Sequence, residues 1–227
     1  MNRRELLVGA FFGSAFSMIP LEMSLAASAN SAEAQLHKFL LRIANKTATS
    51  KTSISNKLLE KTTPFDNSTL LVEIAAIGAV VRNNPVRYSI KNDLLKRSKS
   101  AIEGALAEFP RSPWSHALDG AWHYEFLRRS KIASRIGGAS YKKGDASFAK
   151  AVKLAGDDPG VFLALSISLI SADAEDNAKR VLALLKRAPK SSGNAYKKLV
   201  VGHIRKLHAL VATGKFKEAK RSALSIF

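Results

Sequence analysis

The sequence predicts an all-α fold of antiparallel helical hairpins stacked against one another. Three observations carry that prediction, and they meet in one stretch, residues 145–189. The first is a run of apolar residues at helical spacing, Phe148, Ala149, Ala151, Val152 and Ala155, closed by Gly156-Asp157-Asp158-Pro159-Gly160. The second is the segment Gly160 to Ser171, apolar nearly all round through Val161, Phe162, Leu163, Leu165, Ile167, Leu169 and Ile170. A helix of that kind is covered on more than one side, so it belongs inside a layered stack. Asp158 is placed to cap it, with Pro159 at its first position. The third is a striped segment after the break at Ser171-Ala172-Asp173. Ala178, Val181, Leu182 and Leu185 face in, Lys179, Arg180, Lys186 and Arg187 face out, and Pro189 stops it.

The breakers recur. Ala105 is followed five residues on by Pro110, Ala151 by Gly156 and Leu184 by Pro189. The last two breakers lie 33 residues apart, close to the roughly 34 of a tetratricopeptide unit. With Phe148 ahead of Ala151, and Gly214, Phe216 and Ala219 in GKFKEA, residues 92–227 resemble the tetratricopeptide-repeat family. Trp114 stands loosely where that family has its helix-A tryptophan. The 46 residues between Pro110 and Gly156 depart from the family's period, and no single unit carries the full consensus. The resemblance is therefore to a degenerate array. It implies a short tetratricopeptide-like α-solenoid whose grooved face binds a protein. The competing reading is an ordinary helical bundle with alanine-rich interfaces.

The chain divides into three parts. Residues 1–29 read as an export signal: Arg3-Arg4 ahead of Glu5-Leu6-Leu7, an apolar run from Val8 to Ile19, and a small-x-small cleavage site at Ala27-Ser28-Ala29. The arginine pair followed by x-Leu-Leu resembles a twin-arginine translocation signal, which implies export of the folded protein to the periplasm or beyond. Residues 30–64 read as an N-terminal helix and a polar linker, and 65–227 as the helical-repeat domain.

Within these parts the elements follow in order. Leu36, Phe39, Leu40 and Ile43 mark a helix over 31–44. Asn45 to Lys61, rich in Thr, Ser and Lys, reads as linker or loop with a short helical turn at Leu58-Leu59. After Pro64, capped by Asp66 or Ser68, a helix runs through Leu70, Leu71, Ile74, Ala75, Ile77 and Val80 to a stop at Asn83-Asn84-Pro85. Residues 88–109 read as one long amphipathic helix on Ile90, Leu94, Leu95, Ile102, Leu106 and Phe109. The next spans Trp114 to Lys131, and a loop over 132–144 follows with Gly137, Gly138 and Gly144. Asn194 to Thr213 is helical, and Gly214 turns the chain into a last helix ending at Phe227. That end is apolar, so it is expected to pack on the body or on a partner.

The net charge of +18 and pI near 10.3 come from 36 Lys and Arg against 18 Asp and Glu. Basic residues gather at Lys91–Lys99, Arg128–Lys143, Lys186–Lys198 and Arg205–Arg221. Such a surface attracts polyanions in a salt-dependent way. In an exported protein these are lipid head groups, polysaccharide phosphates or an acidic protein; nucleic acid is the cytoplasmic counterpart. There is no cysteine, hence no disulfide, thiolate chemistry or lipid attachment through cysteine.

No motif for chemistry emerges. His116 and His123 lie seven apart and His203 and His208 five apart, neither suiting helical metal ligation, and no phosphate-binding glycine loop or nucleophile elbow is present. The sequence predicts no enzyme, no cofactor and no metal. The most site-like group lies on one helix: Trp114, His116, Trp122, His123 and Arg129, with Asp119 among them. Trp is a frequent binding anchor, and His123 with Arg129 suits an acidic peptide, although both tryptophans are equally at home in a core. The expected function is a non-enzymatic protein–protein interaction scaffold in the bacterial envelope. The alternative is a basic envelope protein that binds anionic lipid or polysaccharide phosphate.

Overall fold

A computed structural model describes residues 21–61, 67–129, 137–190 and 193–227. Among the described residues the chain is all-helical, with eleven α-helices, one 3₁₀ turn at Asn67–Thr69 and no strand. The helices are α1 (Leu21–Ile43), α2 (Ala48–Leu59), α3 (Leu70–Asn83), α4 (Val86–Lys91), α5 (Leu94–Glu108) and α6 (Pro113–Arg129). They continue as α7 (Tyr141–Leu154), α8 (Pro159–Ala172), α9 (Ala178–Arg187), α10 (Ala195–Ala212) and α11 (Phe216–Ile226).

Two helices act as hubs because their sequences are apolar all round. In α8 only Ala164 and Ala172 are not fully buried, and the helix packs on α6, α7, α9, α10 and α11. Asp158 caps it as expected, its carboxylate accepting the Gly160 N–H at 2.8 Å. In the other hub, α3, Leu70, Leu71, Ile74, Ile77, Val80 and Val81 are buried against α1, α2, α5 and α6. The remaining helices are striped. Val181, Leu184 and Leu185 of α9, Val200, Ile204 and Leu207 of α10, and Ala219, Ala223 and Ile226 of α11 turn inward. Consecutive helices pair as α6–α7, α8–α9 and α10–α11, and α6, α8 and α10 lie side by side.

Four expectations need amendment. The polar stretch after Asn45 is not a linker but the helix α2, and residues 30–61 belong to the main core. Thr47 caps α2 by accepting the Ser50 N–H at 3.2 Å, and the buried stripe is Lys51, Ser55 and Leu59. The period is helical although two of its three members are polar, which hid it. The helix expected over 88–109 is two helices, because Asp93 takes a left-handed φ of 53° between α4 and α5 and leaves Ile90 exposed. The helix expected over 31–44 starts earlier, at Leu21. The loop expected over 132–144 ends sooner: Ser140 caps α7 by accepting the Lys143 N–H, and Gly144 lies inside α7, against Tyr124 and His123.

The first and last described helices join one core. α1 packs on α3 and also on α10, and the buried apolar side chains from Ala32 to Ile226 form one cluster. The apolar C-terminal residues pack on the body: Ile226 is buried and Phe227 lies edge-on to His203, with ring centroids 6.4 Å apart. Lys51 of α2 donates to the Ser225 carbonyl at 2.5 Å and ties the second helix to the last. Of the expected export signal, Arg3 and Arg4 lie outside the described residues. Ala27 is exposed and Ala29 half-buried, both within the unbroken α1. Pro64 and the capping candidate Asp66 also lie outside the described residues. No described helix is long and apolar enough to cross a membrane.

Candidate functional site

Helix α6 has two working faces, and its residue spacing separates them. Trp114, Leu118, Ala121, Trp122, Glu125 and Phe126 recur at helical spacing on one face. They form one wall of a groove whose other walls are α3, through Ile74, Ala75, Gly78 and Arg82, and α8, through Ala164 and Ile167. Leu40 of α1 and Phe227 also line it. The cavity within it measures about 120 Å³. That is close to the roughly 150 Å³ of aliphatic cavities that take a benzene-sized guest.

The groove exists because small residues stand where two larger helices would otherwise interdigitate. Gly78 is exposed in the middle of the otherwise buried α3, and a Cβ built there meets no atom within 4 Å. Ala75, Ala121 and Ala164 are half-buried and add to the opening. The tryptophans are held rigidly. Trp122 Nε1 donates to Ser98 Oγ at 3.0 Å, and its ring lies 4.5 Å from that of Phe126. Trp114 Nε1 donates to Asp158 at 2.7 Å.

Arg82 and Glu125 form the polar rim of the groove, and Arg128 and Arg129 pair with Glu125 from behind. Glu125 accepts from Arg128 at 2.5 and 3.2 Å, lies 3.6 Å from Arg129 Nη1 and 3.9 Å from Arg82 Nε. Arg129 also donates to the Arg82 carbonyl at 3.3 Å and to the Asn84 carbonyl. Burial raises the Glu125 pKa, but the charges of Arg82, Arg128 and Arg129 outweigh it and hold the group below the usual carboxylate range. Three cations on one anion leave a net positive cluster. Arg82 Nε is buried and makes no hydrogen bond, its ion-pair partner Glu125 standing beyond hydrogen-bond reach at 3.9 Å.

The other face of α6 carries the histidines. His116 Nε2 lies 2.9 Å from the Pro110 carbonyl, and His123 Nε2 lies 3.8 Å from Asp119, which accepts from Ser147 of α7. Burial lowers the pKa of both rings, so they are neutral at pH 7. The structure thus divides the group read from the sequence. Trp114 and Trp122 are buried and wall the groove, and Arg129 stands behind it, paired with Glu125. His116 and His123 face α7 and each other's partners are different. Among the described residues no cluster of His, Asp and Glu has the arrangement to hold a metal ion.

A second feature was invisible in the sequence. His37 of α1 lies 3.1 Å from Asp158 at the start of α8 and stacks on Tyr196 of α10 at 3.9 Å. It also meets Trp114 of α6 edge-on at 5.8 Å. Nearby, Ser112 donates to Glu33 at 2.5 Å. Burial raises the Glu33 pKa. Burial acts the same way on Asp158, but His37, the Gly160 N–H and the Trp114 N–H overcome it and hold that carboxyl below its ordinary range. This clasp fastens α1 across the starts of α6, α8 and α10. No local spacing signals it, because its members are far apart in the chain. For the groove the one local sign was Gly78 within the apolar stretch Ile74 to Val81.

Neither family models, nor curated proteins, nor solved structures give a match to this chain.

Proposed function

We propose that the protein is an exported, non-enzymatic helical-repeat scaffold that holds a segment of another protein in the groove between α3, α6 and α8. The observation that carries this reading is the open apolar cavity of about 120 Å³ lined at its polar edge by Arg82 and Glu125, with Arg128 and Arg129 paired to Glu125 behind them. The cavity has room for one large apolar side chain, and the net positive cluster favours a carboxylate beside it. The guest is therefore a stretch of partner protein with a bulky apolar residue next to an acidic one. The hairpin pairs α6–α7, α8–α9 and α10–α11, with α6, α8 and α10 side by side, support a tetratricopeptide-like stack as the frame. Export to the bacterial envelope rests on the signal residues Arg3, Arg4, Ala27 and Ala29.

The test places a photocrosslinking residue at Ala121 in the intact chain and identifies the protein captured in cells. The expected result is one crosslinked partner that disappears when Gly78→Leu fills the cavity. Arg128→Gln should weaken its capture by about tenfold, the value of one charge-assisted hydrogen bond. Lysine substitution of Arg3 and Arg4 should leave the chain in the cytoplasm and abolish capture. The same partner captured equally by the Gly78→Leu protein would overturn the reading.

A further inference from the structure

We infer that the outer face of α9, α10 and α11 is a second binding surface, which docks on an anionic phospholipid bilayer. Residues 178–227 hold thirteen Lys and Arg against a single acid, Glu218, so this end carries +12 of the chain's net +18. Two of the thirteen are neutralised locally: Arg180 by Asp145 at 2.6 Å and Lys197 by Asp157 at 2.5 Å. Among the described residues the other eleven make no ion pair, and all but Lys220 are exposed.

Position makes these charges a surface rather than a scatter. Lys179 and Lys186 are seven apart on α9, Lys198 and Arg205 seven apart on α10, and Lys217 and Arg221 four apart on α11. Each pair lies along one side of its helix. All three helices pack on the same hub, α8, and turn their apolar stripes toward the core. Their basic stripes therefore point away from it. α9 packs on α10 and α10 on α11, so the three stripes sit on neighbouring helices around α8. The chain reaches the groove beyond α11, at Phe227, but none of the basic residues of this face lines it.

The composition of the face selects its partner. Eight of the eleven unpaired cations are Lys, point charges on flexible stems, rather than the planar Arg fork that reads base edges. No aromatic ring is fully exposed on these helices: Tyr196 is buried, and Phe216 and Phe227 are half-buried. Single-stranded nucleic acid binding relies on such rings for stacking. A plane of lipid phosphates needs only dispersed positive charge within a Debye length. The attachment is peripheral and electrostatic, so salt reverses it.

The experiment is flotation of the full chain with vesicles of phosphatidylcholine, with and without phosphatidylglycerol, at low and high salt. A test variant carries Gln at Lys179, Lys186, Lys198, Arg205, Lys217 and Arg221. A control variant loses the same charge elsewhere, with Gln at Lys57, Arg87, Lys91, Lys96, Lys99 and Lys153, all exposed. The expected result is binding only to the phosphatidylglycerol vesicles, released at high salt, weakened at least about tenfold in the test variant and little changed in the control. Equal loss in both variants would reduce the effect to net charge and overturn the proposal. So would binding to pure phosphatidylcholine, or displacement from vesicles by an equimolar DNA duplex. Gly78→Leu should leave flotation unchanged, so failure of the groove reading and failure of this one are told apart.

Discussion

His37 and Asp158 stand 121 residues apart in the chain and 3.1 Å apart in space. The contact fixes α1 to the start of α8. Asp158 also accepts from Trp114 and from the Gly160 N–H, so one carboxylate gathers α1, α6 and α8. Because its folded pKa is depressed, it contributes stability above the unfolded value of about 3.9, and that contribution is lost as pH falls through the lower folded value. Asp158→Asn should cost about 2–4 kcal/mol in urea unfolding at pH 7. The difference between the two proteins should shrink below about pH 4. A cost that stays constant into acid would show that the charge is not what matters.

Gly160 has no room for a side chain. A Cβ there would lie 1.8 Å from Tyr196 Oη and 2.8 Å from the Trp114 ring. Gly160→Ala should destabilise by about 3 kcal/mol or more, through overpacking of a site with no free volume. Tyr196 Oη is buried without a hydrogen-bond partner, and burial pushes its pKa well above that of free tyrosine. Tyr196→Phe alone should therefore be neutral or stabilising by up to about 1 kcal/mol. In combination it should recover part of the Gly160→Ala loss, a coupling that a double-mutant cycle reads directly.

Gly78 sits exposed inside a helix, where glycine is a poor residue. Gly78→Ala should raise stability by about 0.5–1 kcal/mol through helix propensity. Thermal unfolding followed by circular dichroism measures it. A loss instead would mean that the site is filled. The glycine leaves open space where α3 lines the groove.

Lys51 is 2 % exposed and hydrogen-bonded to one carbonyl. Burial, and then the charge of Arg82, lower its pKa from 10.5 to about 8. Between those values the unfolded chain binds the proton and the folded one releases it, so stability rises with pH across that window. Below it the whole cost of the buried charge is present. Lys51→Met should add about 1–2 kcal/mol at pH 7, allowing for partial solvation and the lost hydrogen bond. By pH 10.5 the wild type should have caught up. A gap that does not change between pH 7 and 10.5 would rule out the titration of Lys51 as its source.

Particular residues mark how far the sequence could be read. Asp158-Pro159 announced the start of α8, and the unbroken apolar composition from Val161 to Ile170 announced a helix buried on every side. Both follow from local chemistry, a capping carboxylate and a 3.6-residue period. The helix α2 escaped because its buried stripe begins with Lys51 and Ser55, which pattern reading places in solvent. Asp93 escaped because a left-handed aspartate leaves the apolar spacing on either side intact. Of the candidate site, the spacing of α6 already placed Trp114 and Trp122 on one face. That face became a wall of a groove only because Gly78 and Ala164, on two other helices, stand opposite it.

The sequence by itself determined the helical class, most helix boundaries in the second half, the all-round burial of α8 and the large positive charge. Each depends on residues within a few turns of one another. The tertiary structure alone decided that α1 closes onto α10, that three arginines gather on Glu125, and that α9, α10 and α11 all pack on α8. These depend on which helix packs against which. That choice is made by the fit of whole apolar surfaces, and no local spacing encodes it.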